Sequence, residues 1–161
     1  MKNERKITLI IIATCVLMII IFTIIFIIRI FSSQVWQVNT AEAAELQETY
    51  KAKVSTSTDL YYLMDQGSKL LNGNQPRNAL MNFQRATELD KNYRDGWVWL
   101  GYAQIQNDDP ASAITSLKNA EAIDPIYAQT YELLTIAYEK TGDAEAASNA
   151  KEKMQFLTKQ K

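Results

Sequence analysis

Two adjacent carboxylates, Asp108 and Asp109, and two tryptophans, Trp97 and Trp99, are the residues of this chain best suited to do chemistry or hold a ligand. A carboxylate pair serves acid–base catalysis or cation binding when a histidine, a phosphate-cradling glycine loop or further ligands stand with it. None does here. The 161 residues include no histidine, and the single cysteine, Cys15, lies inside an apolar run. Histidine-based triads, Cys/His zinc sites and disulfides within the polar part of the chain are thereby excluded. Asp108 and Asp109 precede Pro110, where a carboxylate accepts hydrogen bonds from the free N–H groups that open a helix, so capping is their expected role. No catalytic, cofactor-binding or metal-binding residue is assigned, and the chain reads as a non-enzyme. From Ser32 onward 13 basic residues face 17 acidic ones, a net of −4 without long runs. That is a solvated surface, and no nucleic-acid partner is expected.

The tryptophans need elements to position them, and self-similarity supplies those elements. "ATELDKNY" (86–93) and "AEAIDPIY" (120–127) superimpose at a spacing of 34 residues. Three units follow, 60–93, 94–127 and 128–161, each broken near its middle at "NGNQP", "NDDP" or "TGD". A period of 34 with two helices per unit is the mark of a helix-turn-helix solenoid. Pro76 and Pro110 fit the first turn of each second helix. Gly67 and Gly101 recur in the first helices, and Ala79, Ala113 and Ala147 in the second, where paired helices approach closely. Glycine inside a helix costs about 1 kcal/mol relative to alanine, so two at one repeat position argue for a packing need. At about 100° per residue, Trp97, Leu100, Gly101 and Gln104 share one face and Val98, Tyr102 and Ile105 a second. Trp97 is expected in the core over the Gly101 gap, and Trp99, with Ala103, against the preceding unit.

These residues resemble the tetratricopeptide repeat (TPR) family. Its pattern W-x₂-L-G-x₂-Y, then A-x₃-F, then P is met in the middle unit by Trp97, Leu100, Gly101, Ala113 and Pro125, with Gln104 for the tyrosine and Leu117 for the phenylalanine. The first unit keeps Gly67, Ala79 and Phe83, with Lys91 for the proline; the third keeps Tyr131, Leu134, Tyr138, Gly142 and Ala147, with Thr135 for the glycine. The resemblance implies an all-α solenoid over residues 60–161 whose first helices line a groove for a protein or peptide partner. Carried over by the period, the groove positions are Tyr61, Met64, Ser68 and Leu71, then Asp95, Val98, Tyr102 and Ile105, then Gln129, Glu132, Ile136 and Glu139. Partner contact is assigned above all to Tyr61, Met64, Val98, Tyr102, Ile105 and Ile136. The groove should be apolar and aromatic at one end and acidic at the other.

Ahead of the repeats, residues 7–31 run apolar with Arg29 as the one charge. At about 1.5 Å per helical residue this reaches across the roughly 30 Å hydrocarbon core of a bilayer. It exceeds the apolar region of a cleaved signal, so a single transmembrane signal-anchor helix is expected. Lys2, Arg5 and Lys6 hold the N-terminus (1–6) in the cytoplasm and send the rest to the periplasmic or extracellular side. The stalk, 32–59, carries helix formers from Thr40 to Val54 and then "STSTD", which reads as a break and an N-cap. The stalk is compatible with a spacer, with folding back into the groove, or with pairing to another copy as a homo-oligomer or subunit of a larger assembly. The core is expected within the chain from about Ser55 onward. The function expected is a membrane-anchored interaction scaffold in the assembly of an envelope or surface complex such as a pilus, secretion or maturation machine. The alternative is a cytosol-facing membrane receptor of the mitochondrial import type that reads targeting peptides.

Overall fold

The computed structural model describes the backbone of residues 2–159, with side chains described for 17–29 and 40–159. Seven helices follow one another among the described residues: α1 (Lys2–Thr56), α2 (Leu60–Asn72), α3 (Pro76–Leu89), α4 (Arg94–Gln106), α5 (Pro110–Ile123), α6 (Ala128–Thr141) and α7 (Ala144–Lys159). The chain divides into two compact units, Met1–Thr49 and Tyr50–Lys161.

The first unit is the leading part of α1. Among the described residues no helix is long and apolar enough to cross a membrane. Of the 7–31 run, only side chains 17–29 are described, a stretch shorter than the roughly 20 apolar residues a span requires. The backbone of 7–31 is helical, but no stretch of described residues is long enough to show the transmembrane segment and signal anchor expected there. Within 17–28, every large apolar side chain is between 44% and 77% exposed, on all sides of the helix. The one hydroxyl among them is satisfied locally, Thr23 Oγ1 donating to the Ile20 carbonyl at 2.8 Å.

The second unit is built by the 34-residue period. Each helix pair turns on one residue in left-handed backbone: Asn74 (φ 55°), Asp108 (φ 59°) and Gly142 (φ 81°). Asn, Asp and Gly are the residues least strained there. The residue after each closes the turn by donating its N–H back to the first helix: Gln75 to Leu70 (2.8 Å), Asp109 to Gln104 (2.9 Å) and Asp143 to Tyr138 (3.0 Å). Pro76 and Pro110 open α3 and α5. Side-chain caps fall at Asp59, which accepts from Tyr62 N at 3.0 Å, Asp109 from Ser112 N at 3.1 Å and Asp143 from Ala146 N at 3.0 Å. The acid pair is therefore turn chemistry: Asp108 takes the left-handed position and Asp109 caps.

The glycines sit where the helices cross. A Cβ on Gly67 would stand 2.6 Å from the Phe83 ring, and one on Gly101 2.6 Å from Leu117 Cγ, the same contact one period apart. Phe83 and Leu117 are both fully buried. Trp97 packs against the core on both sides but is only half-buried, and its Nε1 donates to the Lys91 carbonyl at 2.9 Å. Its counterpart Tyr131 donates its hydroxyl to the Pro125 carbonyl at 2.7 Å. Burial pushes the Tyr131 hydroxyl up to about 12, so it stays a donor at every physiological pH. At this repeat position an aromatic body fills the core while its polar tip ties down the turn between units.

The core begins earlier than Ser55. Val54 is 3% exposed and packs with Leu63 and Ala86, flanked by Tyr50 and Met81. The Tyr50 hydroxyl meets the buried Asn82 side chain, whose Nδ2 also donates to the Asn78 carbonyl at 3.0 Å. The closing turns of α1 thus cover the open edge of the first repeat as a preceding second helix would, and a fragment cut at Ser55 loses that cover.

One ion cluster closes the middle repeat. Arg94, at the start of α4, donates to Asp124 at the end of α5 (2.6 Å) and to Asp95 (2.6 Å), and lies over the Tyr127 ring at 3.7 Å. The Arg94 hydrogen bond, helped by the Ile126 N–H, holds the Asp124 carboxyl below its ordinary value. A depressed carboxyl contributes stability that is present above the unfolded pKa, about 3.9, and lost as pH falls through the folded one. Asp124→Asn should therefore lower the melting temperature at pH 7, with the gap to wild type closing below about pH 4. Melting curves across pH check this, and a gap of constant size would show that the carboxylate's charge is not what stabilises.

Candidate interaction groove

The first helices α2, α4 and α6 each bury one side against α3, α5 and α7 and leave a stripe toward solvent. The period that aligns the repeats also aligns these stripes, so positions 34 residues apart stand side by side across the face.

The expected groove residues divide on this face. Tyr61 is 83% exposed, and Ile136, at 38%, is exposed as well. Met64 and Tyr102 are half-buried, as are Ser68 and Leu71. Val98 and Ile105 are withdrawn from the face: at 3% and 6% exposure they belong to the core cluster that also holds Leu133, Leu134 and Ala137 of α6. The reason is the inter-repeat seam, since α6 closes over α4 tightly enough to cover both aliphatic side chains. In this arrangement little of either side chain is open to the groove. Asp95 is neutralised by Arg94. Glu132 and Glu139 are exposed.

The structure also adds a residue to the site. Trp99 stacks on Phe83 of the preceding repeat at 5.9 Å and 20°, the inter-repeat contact expected for it. It also meets Tyr102 edge-on at 6.0 Å. Together they wall a hollow of about 190 Å³, completed by Leu71, Asn72, Pro76 and Gln106. The signal for this was in the sequence as the i, i+3 spacing of Trp99 and Tyr102, neighbours on one helix edge. Two larger hollows lie between successive second helices. One of about 430 Å³ runs between α3 and α5 over Trp97, and one of about 360 Å³ between α5 and α7 over Tyr131 and Tyr138. In the latter, Lys118 is already paired with Glu121 at 2.7 Å. Among the described residues no group of three or more His, Cys, Asp or Glu is placed to hold a metal ion.

No family model matches the chain. Over 85 residues, 53% of its length, it is 31% identical to a peroxisomal targeting signal receptor of Candida albicans, and the match spans 13% of that receptor. Solved structures align more broadly. MamA superimposes with a TM-score of 0.60 at 24% identity, over 69% of this chain and 63% of MamA. The first TPR domain of human RPAP3 gives 0.59 at 17%, over 61% and 77%, and the TPR domain of Arabidopsis OM64 gives 0.61 at 17%, over 63% and 84%. The fold is a tetratricopeptide-repeat solenoid. At these identities the likeness establishes architecture, and the partner must be argued from this chain's own surface.

Proposed function

We propose that the chain is a membrane-anchored scaffold whose TPR groove takes up a segment of a partner protein in the assembly of an envelope or surface complex. The observation that carries this reading is the hollow that Trp99 and Tyr102 wall beside the end of α2, with Tyr61 83% exposed at the start of the same helix. Aromatic side chains left open beside a concavity are favoured anchors for a partner's side chains, because they bury large area at small entropic cost. The anchor is supported by the apolar run 7–31 and by the exposure of Leu17 to Ile28 on every side of α1, since a helix apolar all round needs an apolar environment. The basic residues before the run favour an N-terminus in the cytoplasm and repeats on the far side. A second reading, a cytosol-facing receptor for targeting peptides, draws support from the likeness to the peroxisomal targeting signal receptor. Protease added outside intact cells or spheroplasts separates the two, degrading the repeats only in the first topology.

The groove itself is tested by photo-crosslinking in intact cells, with a photoreactive phenylalanine replacing Tyr61, Tyr102 or Ile126. Ile126, in the turn between the second and third repeats, is 72% exposed and off the first-helix face. Discrete adducts from Tyr61 and Tyr102 and none from Ile126 are expected. Adducts from Ile126 alone would move the binding surface to the turns.

A further inference from the structure

The acidic end of the groove has a complement elsewhere on the same chain. On α6, Glu132, Ile136 and Glu139 are all exposed, and no ion pair among the described residues engages either glutamate. Spacings of four and three stack these residues on one helix edge, an apolar side chain between two carboxylates. On α7, Lys153, Phe156 and Lys159 form the reverse pattern. All three are exposed, Phe156 by 56%, with the Lys153 ammonium 5.9 Å from its ring. The other side of α7, with Ala147, Ala150, Met154 and Leu157, packs toward the core, so Phe156 is turned away from its own repeat. Among the described residues no ion pair engages Lys153 or Lys159, so their charges and the exposed ring between them are open to a partner.

We propose that α7 of one copy docks antiparallel on the α6 stripe of a second copy. At about 1.5 Å rise per residue the glutamates stand about 10.5 Å apart along α6 and the lysines about 9 Å apart along α7. The antiparallel register sets Lys153 against Glu139, Phe156 against Ile136 and Lys159 against Glu132. Phe156 then covers Ile136, and the two ion pairs form the rim that fixes direction and register. The parallel register also opposes charges end to end, but the helix dipoles favour the antiparallel one. The contact uses different surfaces on the two copies, so each copy can donate α7 and receive on α6 at once, which builds a ring or an open row. Foreign segments would still reach the aromatic end at Tyr61. The inference shares with the groove reading only the premise that the α6 stripe faces solvent.

Self-association of the full chain in detergent micelles tests this, followed by sedimentation and by energy transfer between labelled copies. Glu132→Lys with Glu139→Lys makes both surfaces basic, and Lys153→Glu with Lys159→Glu makes both acidic. Each double variant alone should associate at least about tenfold more weakly than wild type, because like charges then oppose across the contact. An equimolar mixture of the two should regain association, since the basic α6 of one now meets the acidic α7 of the other. Phe156→Ala should weaken it as well, and raised salt should weaken wild type and mixture alike. All substituted positions are exposed, so melting temperatures should stay near wild type, and this is measured alongside. A wild type that stays monomeric, a charge variant that associates like wild type, or a mixture that fails to recover would each overturn the proposal. The readout is contact between copies, so adducts at Tyr61, or their absence, leave it standing.

Discussion

Phe83→Ala should destabilise the repeat unit by about 3–5 kcal/mol, enough to leave a domain of this size largely unfolded near physiological temperature. Phe83 is fully buried and belongs to three helices at once. It is carried by α3, fills the gap left by Gly67 on α2, and stacks on Trp99 of α4 at 5.9 Å. Truncation removes the transfer free energy of the ring and leaves a cavity that Gly67, without a side chain, cannot help to fill. It also removes an aromatic pair worth about 0.5–1.5 kcal/mol that ties the first repeat to the second. The comparison is Phe156→Ala in α7, the same substitution at an exposed ring, expected within about 0.5 kcal/mol of wild type. Thermal and denaturant melts of a 40–161 fragment, which retains Tyr50 and Val54, measure both. If Phe83→Ala melts like Phe156→Ala, the first two repeats are not held together by this ring.

The same residues show what could be read in advance. The 34-residue period placed the hairpins, the proline starts and the glycine crossings, because each is a local rule that recurs, the hairpin three times and the proline and glycine twice, and repetition separates a rule from coincidence. Helical angle alone put Trp99 against the preceding repeat and Tyr102 toward the open side. It failed at Val98 and Ile105, which lie at groove angles on α4 yet are covered by α6. Angle about one helix axis fixes direction, whereas burial depends on how closely the next helix approaches, and that distance is set by side chains 30 residues further on. The end of α1 escaped for a related reason. Tyr50 and Val54 fall outside the repeating pattern, and their place against Leu63, Ala86 and Asn82 follows from the first repeat needing a cover on its open edge.

Gly101→Val should cost about 1–3 kcal/mol by overpacking, and Leu117→Ala in the same chain should recover part of that loss. A Cβ at Gly101 would lie 2.6 Å from Leu117 Cγ and 2.8 Å from Cδ2. Cγ is the branch point of a fully buried side chain, so it cannot swing aside as a free end would. The helix axes must part instead, and the seam holding Val98 and Ile105 against α6 opens with them. Leu117→Ala alone should cost about 2–5 kcal/mol through the cavity it leaves. In the double variant the valine occupies that cavity, so the two effects should fall short of their sum by about 1 kcal/mol or more. The third repeat already carries the exchanged arrangement. It has Thr135 where the others have glycine and Lys151, exposed, where they have Phe83 and Leu117. There the threonine hydroxyl donates to the Tyr131 carbonyl at 2.8 Å, and the core contacts of α7 pass to Met154 and Leu157. A side chain on the first helix and a large apolar one facing it are thus alternatives at this crossing. Strict additivity of Gly101→Val and Leu117→Ala in denaturant melts would show that the two positions do not meet.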